Sequence, residues 1–213
     1  MTRGKFIAFE GGEGMGKSTQ ARLLCDALKR RGIDVVATRE PGGTPGAEAI
    51  RGLLLHSPRE RWGPQAEALL FAAARADHVQ RLILPALERG DWVVCDRFLD
   101  SSRAYQGAAG TLGDDAVRRL HDIGSAGLLP DLTIVIGADS AEVSRRLRAR
   151  DGEMSDAIGG RDRQYHASVN AAFDTFAEAE PQRFLRVNGD GTVEEVHARL
   201  LEALAPFLAE AAP

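Results

Sequence analysis

Cysteine is scarce in this chain of 213 residues, which carries it only at Cys25 and Cys95. Neither residue shows the spacing of a metal-ligand motif, so reduced thiols in a cytoplasm are expected. No apolar run approaches the length of a membrane span. The chain reaches its first glycines after a short apolar stretch, too soon for the core of a signal peptide. These absences predict a soluble cytoplasmic protein.

An excess of positive charge is also lacking. The net charge is −4, which gives no support for nucleic-acid binding by bulk electrostatics. Hydrophobic residues make up 44% of the chain, enough for a sizeable core. The length suits one α/β domain over residues 1–213, without internal repeats or an interdomain linker.

Short apolar segments alternate with helical ones along the whole chain. Alternation of this kind predicts a parallel sheet with helices on both faces. The segment 151–160, DGEMSDAIGG, is polar and has no periodicity, which is typical of a mobile lid, and we place that lid at about 148–163. The predicted strands are 5–9, 34–38, 92–95, 132–136 and 184–187, and the predicted helices are 18–31, 47–55, 64–89, 114–125, 141–150, 161–179 and 193–209.

A glycine-rich loop follows the first predicted strand. Residues 11–18, GGEGMGKS, fit the phosphate-loop pattern G-x-x-x-x-G-K-[ST]. Glycines let backbone N–H groups turn toward an anion, and the next helix points its N-terminus at the same place. Lys17 would reach the β- and γ-phosphates and Ser18 would bind Mg²⁺, so a nucleoside triphosphate is the predicted ligand. The predicted nucleotide-binding residues are Gly11, Gly12, Glu13, Gly14, Met15, Gly16, Lys17, Ser18 and Thr19.

Asp96 and Arg97 directly follow the third predicted strand. An acidic residue at this end of a parallel strand lies where ligands bind in open α/β sheets, and it can hold Mg²⁺ through water. The arginine beside it can clamp a phosphate bidentately, although such a pair also occurs in surface turns. A GTPase would carry an N-K-x-D signature, which this chain lacks. The pattern therefore favours a kinase with a second, phosphorylated substrate.

Two further segments carry candidate binding residues. Arg39 directly follows the second predicted strand, before a Pro-Gly-Gly turn that lets the backbone approach a ligand, and Arg51 follows on the next helix. Phe71 and Arg75 are four residues apart and share one face of a helix. A ring beside a guanidinium can stack a flat base and hydrogen-bond its edge, although such a pair is more often a core phenylalanine with a surface arginine.

Taken together, the segments FEGGEGMGKST, TREPGGTPGAEAIR, LLFAAARADH, CDRFLDSSRAYQG and LPDLT resemble the bacterial thymidylate kinases, from about residue 4 to about residue 205. The resemblance implies a three-layer P-loop fold with a five-stranded parallel sheet and a short lid. It also implies phosphorylation of dTMP to dTDP with Mg²⁺ and ATP in dTTP synthesis, by a homodimer.

The resemblance assigns roles in the acceptor site to single residues. Phe71 would stack on thymine, and Arg75 would donate to a thymine carbonyl. Arg97, with Arg39 or Arg51 near it, would hold the 5′-phosphate. The remaining implied contacts are Glu13 at the acceptor sugar, Ser102 and Gln106 along the base and sugar, and Tyr105 under the deoxyribose.

The resemblance also raises a question about catalytic charge. Some family members carry an arginine at the place of Gly14, and others supply it from an Asp-Arg-Ile sequence in the lid, where this chain has Ala157. We expect Arg161 and Arg148 to replace this charge together. The predicted catalytic residues are Lys17, Arg97, Arg161 and Arg148, with Ser18 and Asp96 at the metal.

Other functions stay open at this point. The chain could be a P-loop kinase for another nucleoside monophosphate or for a deoxynucleoside. The absence of an acceptor phosphate would leave Arg97 and Arg39 hard to explain in a deoxynucleoside kinase. A nucleotide-binding module without turnover is a third reading, but intact Lys17, Ser18 and Asp96 speak against it.

Overall fold

The computed structural model describes residues 3–56, 61–138 and 161–210. Five parallel strands form one sheet in the order β2-β3-β1-β4-β5, which confirms the predicted fold class. Each strand agrees with its prediction to within one residue at either end. The strands are β1 Phe6–Glu10, β2 Val35–Arg39, β3 Trp92–Asp96, β4 Leu132–Gly137 and β5 Phe184–Asn188.

Eight α-helices and two π-helical turns lie in the described residues. The predicted helix 141–150 and the predicted lid loop 151–160 fall outside them. The helices are α1 Lys17–Arg30, α2 Pro45–Leu55, α3 Pro64–His78, α4 Leu84–Glu88, α5 Leu99–Ser102, α6 Asp114–Ser125, α7 Arg163–Ala179 and α8 Val193–Glu210, and the π-helical turns are Val79–Ile83 and Arg103–Ala108.

Three helix predictions are wrong in detail. The helix predicted at 47–55 begins two residues earlier, at Pro45. The predicted helix 64–89 is divided into α3, a π-helical turn and α4. Pro85 has no N–H and its ring clashes with the preceding turn, so the α-helical ladder cannot pass through it unchanged. The helix predicted at 161–179 begins two residues later, because the Asp162 carboxylate caps it by accepting the Tyr165 N–H at 2.8 Å. Arg161 therefore precedes the helix.

The segment after β3 was not predicted as helical. It forms α5 and then the second π-helical turn, which together carry Ser102, Tyr105 and Gln106. A buried ionic cluster holds this segment against the sheet. Asp100 accepts from Arg183 at 2.7 and 2.9 Å and from Arg103 at 2.7 Å. This segment is therefore held to the sheet by the ion pairs of Asp100 with Arg103 and Arg183.

The two faces of the sheet bury different cores. On one face Ile7 and Phe9 pack with residues of α1 and α8 such as Leu24 and Leu200. On the other face, Phe6 and its neighbours contact the α3–α4 segment and α6, and a third cluster packs α7 against β4 and β5. Successive β1 side chains point to opposite faces, so both faces of this strand are buried, as in a parallel sheet covered on both sides.

Both cysteines are free and buried. Burial raises the pKa of the Cys25 thiol to about 11 and also raises that of Cys95. The thiols therefore stay protonated at neutral pH. In the described part of the chain, we find no helix that is both apolar enough and long enough to span a bilayer.

Candidate active site

The glycine-rich loop joins β1 to α1 at the carboxyl edge of the sheet. Gly11 has φ +132°, and a Cβ there would lie 2.5 Å from the Ile136 carbonyl oxygen. Gly16 has φ +88° and precedes the first turn of α1. No other residue type fits these two positions without strain. The loop thus presents backbone N–H groups and a helix N-terminus to the same space, the arrangement that binds phosphate.

Lys17 lies in the floor of this loop. Its side chain is buried, and Nζ donates to the Gly12 carbonyl oxygen at 2.5 Å. Burial, with repulsion from Arg97 added to it, lowers the pKa of the ammonium group to about 7. Bound phosphate would raise the pKa of Lys17 again, because an anion in contact favours the charged form.

Ser18 and Asp96 meet across the edge of β3. The Ser18 hydroxyl donates to Asp96 Oδ2, whereas Asp96 Oδ1 is buried without a hydrogen-bond partner among the described residues. A hydroxyl beside an unpaired carboxylate oxygen fits Mg²⁺, which takes oxygen ligands. No group of three or more His, Cys, Asp or Glu side chains able to hold a metal occurs in the described residues. This donor set suits a cation that completes its shell with phosphate and water.

Arg97 lies between the loop and the segment after β3. Its backbone adopts φ +69°, a left-handed conformation that is uncommon outside glycine. Nη1 donates to Ser101 Oγ at 3.0 Å and to the Gly11 carbonyl at 3.3 Å, and Nη2 donates to the Tyr105 hydroxyl at 3.2 Å. Burial by itself would lower the pKa of Arg97. The nearby groups Tyr105, Asp96 and Glu10 outweigh burial and raise that pKa above its ordinary value. The guanidinium is therefore a fixed cation beside the loop.

Glu10, the last residue of β1, lies beneath Arg97. It is fully buried and accepts the Phe98 and Ser101 backbone N–H groups, each at 2.9 Å, and the Ser101 hydroxyl at 2.6 Å. Burial, with repulsion from Asp100, raises the pKa of Glu10 to about 7. This carboxylate links the strand before the phosphate loop to the segment after β3.

Arg75 is buried rather than on the surface. Nε donates to Glu40 Oε2 at 2.7 Å, and Nη2 donates to Ser102 Oγ at 2.8 Å and to the Phe98 carbonyl at 3.1 Å. His78 contacts the other Glu40 oxygen at 3.0 Å. Burial alone would raise the pKa of Glu40, but Arg75 and His78 lower it. Within the described residues Nη1 of Arg75 makes no hydrogen bond, so it can donate to a ligand.

Phe71 lies one turn before Arg75 on α3 and is buried, yet it is not a member of the three clusters that form the core. Glu67, a further turn back, accepts Gln106 Nε2 at 2.9 Å. A flat apolar ring, a buried guanidinium and an oriented amide therefore lie along one stretch of α3. Such a combination can stack a base and read its polar edge.

Arg39 and Arg51 lie at the entrance to this region. Arg39 ends β2, beside Asp96 in the sheet register, and its half-exposed side chain donates to Glu48 at 2.9 Å. Arg51 Nη1 donates to the Pro41 carbonyl at 2.7 Å. Arg51 thus bonds to the turn 40–44 directly, whereas Arg39 bonds to Glu48, which itself accepts the Gly43 N–H of that turn.

Known proteins with similar sequences cover nearly the whole of this chain. The model of the thymidylate kinase family matches residues 9–200. The chain is 56% identical to the thymidylate kinase of Rhizorhabdus wittichii over 96% of this chain and 99% of that protein. It is 43% identical to the thymidylate kinase of Caulobacter vibrioides over 98% of this chain and 99% of that protein.

This chain belongs to the thymidylate kinase family.

A solved structure agrees with this membership. The thymidylate kinase of Ehrlichia chaffeensis superposes with a TM-score of 0.76 at 30% identity, over 95% of this chain and 99% of that chain. Arg97 contacts the phosphate loop through the Gly11 carbonyl, and on its other side it contacts Tyr105, on the segment that also carries Ser102 and Gln106. Most of the residues predicted from the sequence lie around these two regions, and their individual roles stay predictions.

One predicted catalytic residue lies on the pocket side of the site. Arg161 Nη2 contacts Glu67 at 2.5 Å, and Nη1 donates to the Tyr165 hydroxyl at 2.6 Å. Tyr165 in turn donates to the Tyr105 carbonyl at 2.7 Å. Arg161 thus joins the start of α7 to α3 and to the turn that carries Gln106. Arg148, its predicted companion, lies outside the described residues.

Sequence reasoning missed several residues of the site. Glu10, Glu40 and His78 each bond to groups at least 35 residues away along the chain, so no local pattern shows the pairing. The one available signal was position, since Glu10 and Glu40 directly follow or end strands where the other site residues do. Glu67 had no such signal, because an exposed glutamate on a helix would look the same.

Proposed function

We propose that this protein transfers the γ-phosphoryl group of ATP to dTMP and releases dTDP and ADP. The observation that carries the proposal is the buried Arg75 beside Phe71, with one donor nitrogen unused among the described residues and the others held by Glu40 and Ser102. It adds an acceptor pocket to a phosphate loop, and the family relatives named above are thymidylate kinases. A fixed donor favours a base with a carbonyl at that position.

On the donor side, Lys17 and the loop N–H groups would hold the β- and γ-phosphates. Ser18 and Asp96 would hold Mg²⁺, which supplies charge neutralisation on the phosphate oxygens when bound. The unpaired Asp96 Oδ1 supports this assignment. Charge neutralisation and positioning are the main catalytic terms in phosphoryl transfer, and the loop would supply the positioning and, through Lys17, part of the charge.

On the acceptor side, Arg97 would bind the 5′-phosphate of dTMP, with Arg39 or Arg51 nearby. Its guanidinium is held by Ser101, Tyr105 and the Gly11 carbonyl, next to the phosphate loop. A cation shared between two phosphate positions brings the nucleophilic oxygen close to the transferred group. Such positioning converts a bimolecular step into an effectively unimolecular one.

In the base pocket, Phe71 would stack on thymine and Arg75 Nη1 would donate to the carbonyl at C4. Cytosine carries an amino group at that position, which would leave a buried donor facing a donor. Gln106 and Ser102 would line the base and sugar, Glu13 would face the sugar, and Tyr105 would pack under the deoxyribose. Rejection of dCMP should therefore be strong, whereas the thymine methyl group adds only ~1–3 kcal/mol against dUMP.

We also propose that Arg161 and Arg148 supply the charge that the phosphate loop lacks. Arg161 is about one-quarter exposed and held by Glu67, so it would have to leave that partner to reach the donor phosphates. Gly159 and Gly160 lie in the predicted lid at about 148–163, outside the described residues, and we propose that they act as the hinge for this movement.

A homodimer of single-domain chains is the proposed assembly. Leu69 on α3 and Ile123 on α6 expose 55% and 85% of their surface, although both are large apolar residues. These two helices pack against each other, so a second copy could bury both side chains. Ile123→Glu is expected to give a monomer by light scattering, and an unchanged dimer would place the interface elsewhere.

A coupled assay of ADP release tests the function. It compares dTMP with dUMP, dCMP, dAMP, dGMP and thymidine, each with Mg²⁺ and ATP. We expect kcat/KM to be highest for dTMP, modestly lower for dUMP and at least about 100-fold lower for dCMP. Equal rates with dCMP, or a higher rate with thymidine than with dTMP, would contradict the proposal.

A further inference from the structure

Glu10 lies one residue before the phosphate loop, and its carboxylate is engaged on the acceptor side of the site. Oε1 accepts the backbone N–H groups of Phe98 and Ser101, and Oε2 accepts the Ser101 hydroxyl. These bonds span from residue 10 to residues 98 and 101. They connect the strand that carries the donor site to the segment that carries Arg97.

The direction of the Ser101 hydroxyl is set by this contact. A serine hydroxyl has one proton to donate and two lone pairs to accept with. Because the proton points to Glu10 at 2.6 Å, the lone pairs are left for another donor, and Arg97 Nη1 lies there at 3.0 Å. An arginine has only donors, so it needs an acceptor at that position.

This contact is the shortest of the three hydrogen bonds of the Arg97 side chain, the others being 3.2 and 3.3 Å. The backbone of Arg97 is left-handed, a conformation that surrounding contacts must maintain in a residue with a Cβ. Ser101 is also four residues after Arg97 and is itself held in α5 by two hydrogen bonds to Glu10. The Ser101 contact is thus the best placed to orient the guanidinium.

We propose that Glu10 and Ser101 are positioning residues that aim Arg97 at the acceptor phosphate. The inference rests on the proposed function of Arg97 as the clamp of that phosphate. Glu10 fixes the hydroxyl direction, the hydroxyl accepts from Nη1, and the guanidinium keeps its remaining donors for the ligand. Neither residue touches the reacting atoms.

Ser101→Ala is the main test, and Ser125→Ala is its matched control. Both serines are on helices, and the Ser125 hydroxyl is buried without a partner among the described residues, at the end of α6. Ser101→Ala should raise KM for dTMP about tenfold and leave KM for ATP within about twofold of wild type. Ser125→Ala should change neither. Ser101→Thr keeps the hydroxyl and should restore KM for dTMP to within about threefold of wild type.

Glu10→Gln provides a second variant with the same shape. Its amide NH₂ would face either the two backbone N–H groups or the Ser101 hydroxyl, so either both backbone contacts or the hydroxyl contact is lost. Assays are run at pH 8, where a carboxyl with a pKa of about 7 is ionised in the wild type. KM for dTMP should rise as in Ser101→Ala, and the double variant should add little, because both changes act on one contact.

Crystal structures of the nucleotide-free wild type and Ser101→Ala separate this inference from the proposed function. The guanidinium of Arg97 should leave the Gly11 carbonyl and the Tyr105 hydroxyl when Ser101 loses its oxygen. An unmoved Arg97, or a KM for dTMP within about twofold of wild type, would overturn the positioning role. Equal rises in both KM values with a lower Tm would also overturn it and indicate a structural role. A wild-type protein that does not phosphorylate dTMP would contradict the proposed function. In that case the two crystal structures would still show whether Ser101 orients Arg97.

Discussion

Arg75→Lys separates the charge of Arg75 from its forked shape. A lysine ammonium group can still pair with Glu40, which keeps the buried carboxylate compensated. It cannot reproduce the contacts of Nη2 with Ser102 and Phe98 or present Nη1 to a ligand. Arg75→Ala is a poorer probe, because removing one partner of a buried pair costs ~3–5 kcal/mol of stability.

The expected magnitude follows from the contacts that are lost. A hydrogen bond from a charged donor is worth ~1.5–3 kcal/mol, and each ~1.4 kcal/mol is a factor of ten. Arg75→Lys should therefore lower kcat/KM for dTMP by about 10- to 150-fold. Because the donor that repels cytosine is lost as well, the preference for dTMP over dCMP should shrink by a similar factor.

Steady-state kinetics with dTMP, dCMP and ATP measure this effect. KM for ATP should stay within about twofold of wild type, since Arg75 donates to Glu40, Phe98 and Ser102 and to no described residue of the phosphate loop. Arg81→Lys is the matched control, because Arg81 is an exposed arginine that pairs with Asp77 close to the same helix. Unchanged discrimination in a folded Arg75→Lys protein would refute the reading of Arg75 as the donor to the base. Equal losses for both substrates would instead indicate a structural role.

Three further predictions concern charge at the phosphates. The Lys17→Ala protein should fold, and its kcat should fall by several orders of magnitude. If it retains more than about a tenth of wild-type activity, Lys17 does not clamp the phosphates. Since burial lowers the pKa of Lys17 to about 7, the free protein at pH 8 holds it mostly neutral, so binding of ATP should take up close to one proton. Calorimetry in buffers of different ionisation enthalpy measures that uptake, and proton release would contradict it. The double variant Arg161→Ala with Arg148→Ala should lower kcat well beyond either single change, and a folded double variant within about threefold of wild type would place the catalytic cation elsewhere.

The sheet was predictable because its signals are local. Each strand is a short apolar run, and the phosphate loop has a fixed spacing between Gly11 and Ser18 that no other structure requires. The order of the strands was not predictable in this way. It depends on which helices cover which face, and that is decided by packing across the whole chain.

The helical segment after β3 was missed for a physical reason. Its sequence, LDSSRAYQGA, shows no apolar stripe, because Asp100 and Arg103 are buried as an ion cluster with Arg183. From the sequence alone, Asp100 and Arg103 would be placed at the surface, since charged side chains are rarely buried without a partner. The partner here lies 83 residues further along the chain, so the burial is visible only in the folded structure.

The candidate site also contains residues that local sequence signals identify and residues that only the folded structure shows. Lys17, Arg75 and Arg97 were singled out from motif and position, and in the structure Lys17 and Arg97 both donate to carbonyl groups of the phosphate loop while Arg75 donates to Glu40. The carboxylates that hold the arginines, Glu10 and Glu40, were not. Motifs identify groups that meet the ligand, whereas groups that orient them depend on contacts between distant segments.

Product analysis tests the central claim most directly. The wild-type protein is incubated with ATP, Mg²⁺ and dTMP, and ADP and dTDP are quantified together by chromatography. A dTMP kinase should form them in equal amounts, and ADP should not accumulate without an acceptor. Release of ADP without dTDP, or equal yields of diphosphate from dCMP and dTMP, would contradict the account.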